Sequence, residues 1–210
     1  LTVVVFVHGL WLKGHEAAWL RYKVAQELAA DTRQFSYPSV NASIASNAAA
    51  LAQSLSEIKT DTLHLVGYSL GGLVIYKLFD APNIVALPPG RIVLLGSPLQ
   101  GSQAAQKLAR VPLGRKMLGQ SIDTDGLTTG NRRWRGARDL GIIAGDLAVG
   151  LGRVMGNLPG PNDGTVMVEE TRLEGATDHR ILRVSHSGML FSAEVARQTV
   201  LFLTTGRFAR

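Results

Sequence analysis

Leu63-His64-Leu65-Val66-Gly67-Tyr68-Ser69-Leu70-Gly71-Gly72 decides how the rest of the chain is read. Leu63 to Val66 runs together without polar alternation, as a strand buried on both faces does. Helix-forming residues follow at once, from Leu70 to Leu78, so the chain must reverse sharply between them. Gly67 and Gly71 carry no Cβ, which lets strand and helix close around Ser69. That turn lifts the Ser69 hydroxyl to the C-terminal edge of a sheet and the N-terminus of a helix. Free N–H groups and the helix dipole favour negative charge there, which suits a reaction passing through an oxyanion. A plainer reading, an ordinary strand-to-helix turn, fits the pentapeptide alone, so the surrounding pattern has to decide.

Outward from this unit, strands and helices alternate. Thr2 to Val7 is rich in β-branched residues and reads as a buried strand running into His8-Gly9-Leu10-Trp11. A helix is expected over Glu16 to Ala30, with Leu20, Val24 and Leu28 on one face. Gln34 to Tyr37 reads as a short strand ended by Pro38. Ser43 can cap a helix whose Ile44, Ala48, Leu51, Leu55 and Ile58 make an apolar stripe. Further strands are expected at Arg91–Leu95, Gly141–Ala144 and His179–Val184, and helices at Gln103–Ala109 behind Ser102 and at Ser192–Thr204 before Gly206.

Such alternation requires crossover connections, hence a mostly parallel sheet of about six strands with helices on both faces, an α/β class. Reactive loops in such sheets lie at the carboxyl ends of the strands. His8-Gly9, Ser69 and Gly96-Ser97 all fall at such ends and so share one edge. Between Val111 and Arg138 the periodicity fails, and a loose Gly-rich stretch runs on to Pro161. The segment 101–161 therefore reads as a cap or pocket-wall excursion within one domain spanning 1–210.

Composition narrows the class further. The 210 residues are 46% hydrophobic and 18% charged, enough for one substantial core. The absence of cysteine excludes disulfides, thiolate chemistry and Cys-based zinc sites. A net charge of +6 aids solubility and can attract anionic surfaces. No apolar run approaches a membrane span. The chain opens on Leu1-Thr2-Val3 with neither a basic leader nor an initiator Met, as a chain trimmed at its N-terminus would; a cytoplasmic location is the expectation.

Serine is a poor nucleophile unless a neighbouring base takes its proton. His186, in Ser185-His186-Ser187-Gly188 after the last strand, is the best base for Ser69, because it lies at the same sheet edge. The other histidines have plainer readings: His64 as a hydrogen-bonded core residue, His8 as a fixture of its turn, His15 and His179 as solvated edges. A catalytic imidazole needs an acceptor on its second nitrogen. Asp163, in Asn162-Asp163-Gly164-Thr165-Val166, is the first choice, although an Asp-Gly pair also serves its own turn. Asp146 is the main rival, with Asp178 and Glu170 weaker. Leu70, directly after Ser69, can supply one oxyanion N–H; Leu10 is favoured for the second, with Trp11 next.

His8-Gly9-Leu10, Gly67-Tyr68-Ser69-Leu70-Gly71-Gly72, Gly96-Ser97-Pro98 with Gly101-Ser102, Asn162-Asp163-Gly164-Thr165-Val166 and Ser185-His186-Ser187-Gly188-Met189 come in an order that resembles the α/β-hydrolase superfamily. Within it the chain is most similar to the small bacterial serine lipases and esterases. The resemblance implies Ser69 as nucleophile, His186 as base, Asp163 as acid, and Leu10 and Leu70 as oxyanion donors. It also implies hydrolysis of small-molecule or lipid carboxylic esters through an acyl-serine intermediate, with no cofactor and no metal. The family's early N-terminal strands are missing, and Val111 to Pro161, where the acyl pocket is often shaped, matches nothing in the pattern. A thioesterase or acyltransferase on the same scaffold, or a non-catalytic binding protein of that fold, stays open.

Asn131-Arg132-Arg133-Trp134-Arg135-Gly136-Ala137-Arg138 stands apart. The favoured reading is a solvated basic loop whose arginines pair with local carboxylates. Contact of Arg132, Arg133 and Arg135 with anionic lipid, Trp134 sitting at the interface, comes second, and nucleic acid a distant third. A monomer is expected.

Overall fold

Six strands hydrogen-bond into one sheet, and every neighbouring pair is parallel. This computed structural model describes residues 1–81, 86–122, 127, 130–149 and 158–210. The strands are β1 (Thr2–Val7), β2 (Asp31–Phe35), β3 (Thr62–Tyr68), β4 (Ile92–Leu95), β5 (Leu140–Gly145) and β6 (Asp178–Leu182), in the spatial order β2-β1-β3-β4-β5-β6. Between and after them come α1 (Ala18–Leu28), α2 (Ile44–Ser56), α3 (Leu70–Asp80), α4 (Gln103–Ala109), α5 (Pro112–Leu118), α6 (Val168–Thr171) and α7 (Ala193–Thr205).

The sheet is apolar on both sides, which is why its central strands show no alternation in sequence. Val3, Val5 and Val7 of β1 enter one core with Leu51 and Leu55 of α2 and Leu73 of α3. Val4 and Phe6 enter the other, with Leu20 and Val24 of α1 and Val195 and Phe202 of α7. Helices thus cover both faces, as the alternation predicts. The expected caps form too. The hydroxyls of Ser43, Ser102 and Ser192 accept from the N–H groups of Ser46, Ala105 and Val195, and Gly206, at φ 79°, closes α7.

Several elements depart from expectation. β2 lies at Asp31–Phe35 instead of Gln34–Tyr37, because it is an edge strand paired only to β1 and half in solvent, so its Asp31-Thr32-Arg33 start carries no apolar signal. α1 is shorter than 16–30; a 3-10 turn precedes it, and Ala29, at φ 49°, ends it. β6 starts at Asp178 and stops at Leu182. α5 appears inside the stretch without periodicity, with Pro112 in its first turn.

Trp134 overturns part of the reading of the basic stretch. Its side chain is buried, donates from Nε1 to the Arg138 carbonyl at 2.9 Å and packs on Phe79, so the indole is a core residue and not an interfacial one. Arg133 pairs with Glu174, but Arg132 donates to the Leu99 carbonyl and Arg138 to those of Leu63 and Pro88. These guanidiniums tie backbone together. Among the described residues, no helix is long and apolar enough to cross a membrane.

Candidate active site

Ser69 sits between β3 and α3 at φ 53°, ψ −121°, a conformation that costs a non-glycine residue energy and persists only where neighbours enforce it. Its N–H is held by the Leu95 carbonyl at the end of β4, 2.8 Å away. The flanking glycines are required by contact. A Cβ on Gly67 would stand 2.8 Å from the Gly72 Cα, and one on Gly71 only 2.1 Å from the Val7 carbonyl oxygen of β1. Gly71 therefore lets the new helix press on the neighbouring strand, a wider role than shaping its own turn.

His186 arrives from beyond β6. Its Nε2 lies 3.1 Å from Ser69 Oγ, and its Nδ1 lies 2.7 Å from Asp163 Oδ2. Asp163 is 1% exposed, and its two oxygens are divided between two tasks. Oδ1 accepts from the N–H groups of Thr165 and Val166, fixing the turn, while Oδ2 is left for the imidazole. The side chain therefore serves its own turn and also faces the imidazole. The Asp163 carbonyl also accepts from the His186 N–H at 2.8 Å, so the two loops are bound by backbone as well as side chain.

The rival carboxylates lie elsewhere or are engaged. Asp146 is exposed. Asp178 accepts from the N–H groups of His179 and Phe208. Glu170 is buried, which raises its pKa, and accepts from the N–H groups of Met167 and Gln103. It anchors the loop carrying Asp163 to the start of α4.

Among the histidines, His8 is buried and its pKa is lowered by that burial. Its Nε2 accepts from the Tyr37 N–H and its Nδ1 faces the Gly9 carbonyl, while its ring stacks on Tyr37 at 4.3 Å. It fixes its turn, as expected. His64 is a core residue whose Nδ1 accepts from the Arg91 N–H. His15 is exposed. His179 corrects the expectation of a solvated edge: it is half-buried, its pKa lowered by burial, and Nε2 lies 2.9 Å from Thr171 Oγ1.

The loop after β1 closes the site from the other side. A Cβ on Gly9 would stand 3.0 Å from the Ser69 Cβ, so the loop lies directly against the serine. The Trp11 N–H donates to Ser39 Oγ at 3.1 Å. The Leu10 N–H meets no acceptor among the described residues. Leu70 opens α3, where an N–H has no partner within its helix. Trp11 adopts φ 62° and sends its indole N–H to the Met117 carbonyl of α5, 2.7 Å away.

Ser69 and His186 open on a cavity of about 200 Å³. Its lining includes Ala105 and Leu108 of α4, Leu118 of α5, Leu127 and Val166, so the excursion supplies part of the apolar wall. Sequence reasoning missed Tyr68. Its ring lies 5.0 Å from that of His186, and its buried hydroxyl donates to the His186 carbonyl at 3.1 Å. An aromatic beside the elbow serine was the available signal. Among the described residues, no cluster of His, Asp and Glu is arranged to hold a metal.

Residues 4–172 match the sequence model of the alpha/beta hydrolase family. Among solved structures, the chain is similar to the mature form of lipase BlEst2 from Bacillus licheniformis, with a TM-score of 0.73, 24% identity, and coverage of 97% of this chain and 91% of that one. It is also similar to the metagenomic carboxyl esterase MGS0156, with a TM-score of 0.64 and 15% identity over 88% of this chain and 64% of that one. YbtT, a type II thioesterase of the yersiniabactin pathway, gives 0.60 and 15% over 99% and 94%. No curated protein matches in sequence. At these identities the three structures share a fold with this chain.

Proposed function

The chain belongs to the alpha/beta hydrolase family, and from that premise we propose that it is a serine hydrolase cleaving carboxylic esters through an acyl-serine intermediate. The linked contacts Ser69–His186–Asp163, at the edge of an apolar cavity, carry this reading. In it, Ser69 Oγ attacks the ester carbonyl carbon while His186 Nε2 accepts the hydroxyl proton. Asp163 Oδ2, accepting from Nδ1–H, holds the tautomer that leaves Nε2 free and stabilises the imidazolium. The carbonyl oxygen becomes an oxyanion facing the N–H groups of Leu10 and Leu70, a term worth about 10²–10³ in rate per donor in comparable sites. Collapse expels the alcohol, which takes the proton from His186. Water then repeats the sequence on the acyl-serine, releasing the acid and restoring Ser69.

The Trp11 N–H is engaged by Ser39, which supports Leu10 as the second donor. The cavity wall is apolar, which favours an acyl chain over a peptide side. The likeness to YbtT adds a second reading, a thioesterase, in which only the leaving group changes. Initial rates on nitrophenyl esters from acetyl to palmitoyl, with Ser69→Ala as the blank, test the main reading. Ser69-dependent turnover is expected; Ser69→Ala with undiminished turnover refutes the reading. Matched oxygen esters and thioesters of the best acyl chain then separate esterase from thioesterase.

A further inference from the structure

The wall of the cavity has an outer face with no use in that chemistry. In α5, Gly114 and Leu118 turn inward, and Leu118 lines the cavity. Leu113 and Met117, four residues apart and therefore on one side of the helix, are 71% and 45% exposed. Val111, just before the helix, is 51% exposed. Trp11 is 47% exposed at the cavity mouth, and its indole N–H is bonded to the Met117 carbonyl, so it extends the same apolar rim. Large exposed apolar side chains gathered on and beside one helix mark an interaction surface more often than chance exposure does.

Charge singles out the partner. From Gln100 to Ile122 the sequence holds Lys107, Arg110, Arg115 and Lys116 and no Asp or Glu. Arg115 and Lys116 share α5 with the exposed Leu113 and Met117 and are themselves exposed. Lys116, three residues from Leu113, flanks the ridge, and an apolar ridge beside a cation fits a layer with an apolar interior and an anionic surface. It fits a protein partner less well, since interface cores are depleted in lysine.

We propose that the α5 ridge, with Trp11, docks this protein on anionic phospholipid bilayers, Leu113 and Met117 entering the acyl region while Lys116 meets the phosphates. The cavity mouth then faces the membrane, and an amphiphilic substrate can pass from the bilayer to Ser69 without crossing water. The docking face lies apart from Arg132, Arg133 and Trp134, whose side chains are engaged in holding the fold. It does not rest on the esterase reading, because none of its residues takes part in the proposed chemistry.

The test uses the full chain carrying Ser69→Ala, so that no substrate is consumed, with vesicles of phosphatidylcholine alone or with phosphatidylglycerol. Cosedimentation is expected with the mixed vesicles and not with phosphatidylcholine alone, together with a blue shift of the fluorescence of Trp11. Lys116→Glu should weaken binding on the order of tenfold, since it removes a cation worth about fivefold near an anionic surface and adds an anion in its place. Leu113→Gln with Met117→Gln should abolish the blue shift while leaving turnover of a water-soluble ester by the Ser69 form unchanged. No binding to the mixed vesicles, or equal binding by these variants, overturns the proposal. So does loss of binding on Arg133→Glu with Arg135→Glu while the α5 variants bind normally. Failure of ester turnover with intact vesicle binding would count against the esterase reading alone.

Discussion

The Tyr68 hydroxyl donates to the main-chain carbonyl of His186, 3.1 Å away, so the residue before the serine also holds the loop that carries the imidazole. The two rings lie 5.0 Å apart, and the tyrosine is buried. Burial pushes its pKa well above the ordinary phenol value, so it stays a hydrogen-bond donor throughout the working range. Tyr68→Phe keeps the ring contact and leaves the His186 carbonyl without this donor. A loss of about 1 kcal/mol in stability is expected, with kcat reduced several-fold and KM little changed. Urea unfolding and steady-state kinetics on one soluble ester check it; an unchanged kcat would remove Tyr68 as a positioning residue.

Asp163→Asn separates the two tasks of that side chain. The amide oxygen can still accept from Thr165 and Val166, so the turn and the melting temperature should survive. The amide nitrogen then faces His186 Nδ1 and donates to it, which places the ring proton on Nε2, where the serine proton must go. A drop in kcat of about 10³–10⁴ is expected. Asp163→Ala should lose both activity and stability, since the buried Val166 N–H and the part-buried Thr165 N–H lose their acceptor. If the Asp163→Asn variant keeps near-normal turnover in a soluble-ester assay, Asp163 is not the acid.

Gly71→Ala tests the packing of α3 on β1. The added methyl would meet the Val7 carbonyl oxygen at 2.1 Å and the His8 carbonyl oxygen at 2.6 Å, both of them backbone and unable to swing aside. Destabilisation of about 3 kcal/mol or more is expected, as for strongly overpacked sites, with little soluble protein recovered. A melting temperature within a degree or two of the parent would contradict this contact.

His64 makes stability depend on pH in a defined window. Burial, with the nearby Arg91 and Arg138 charges, lowers its pKa from 6.5 to about 4. Above 6.5 the imidazole is neutral in both folded and unfolded chains, and its contribution is complete. As pH falls from 6.5 toward 4, the unfolded chain takes up a proton that the fold refuses, so stability declines by on the order of 3 kcal/mol. Below about 4 the folded state accepts the proton as well, and the decline from this group stops. His8 and His179, also lowered, act in the same direction, so the variant His64→Asn isolates the effect. Urea midpoints at pH 7.5 and 4.5 should fall further for the parent than for His64→Asn; equal falls would refute the assignment.

Most of the fold was legible because burial on two faces leaves a plain trace: uninterrupted apolar runs at β1, β3, β4 and β5, separated by stripes at helical spacing. The candidate site was legible because its residues sit in short turn sequences at strand ends. What escaped was whatever lacked a local period. α5 turns Leu113 and Met117 outward and buries only Gly114 and Leu118, so its pattern is not that of a core helix. Trp134 among arginines looks like surface, yet the guanidiniums of Arg132 and Arg138 spend their donors on carbonyls more than thirty positions away, which no window of sequence reveals. Tyr68 leaves no local trace, because its partner is a backbone atom 118 positions along the chain.

The two faces of the sheet differ in when they can close. The core with α2 and α3 uses helices that lie early in the chain. The opposite core sets Leu20 and Val24 of α1 against Val195 and Phe202 of α7, which follows every strand. During synthesis, Val4, Phe6, Val66 and Val93 therefore have α1 but not α7 against them on that side until α7 has left the ribosome. His186, just upstream of α7, gains its rigid backing in the same late step. Protease resistance of that face should thus be gained late, when α7 docks.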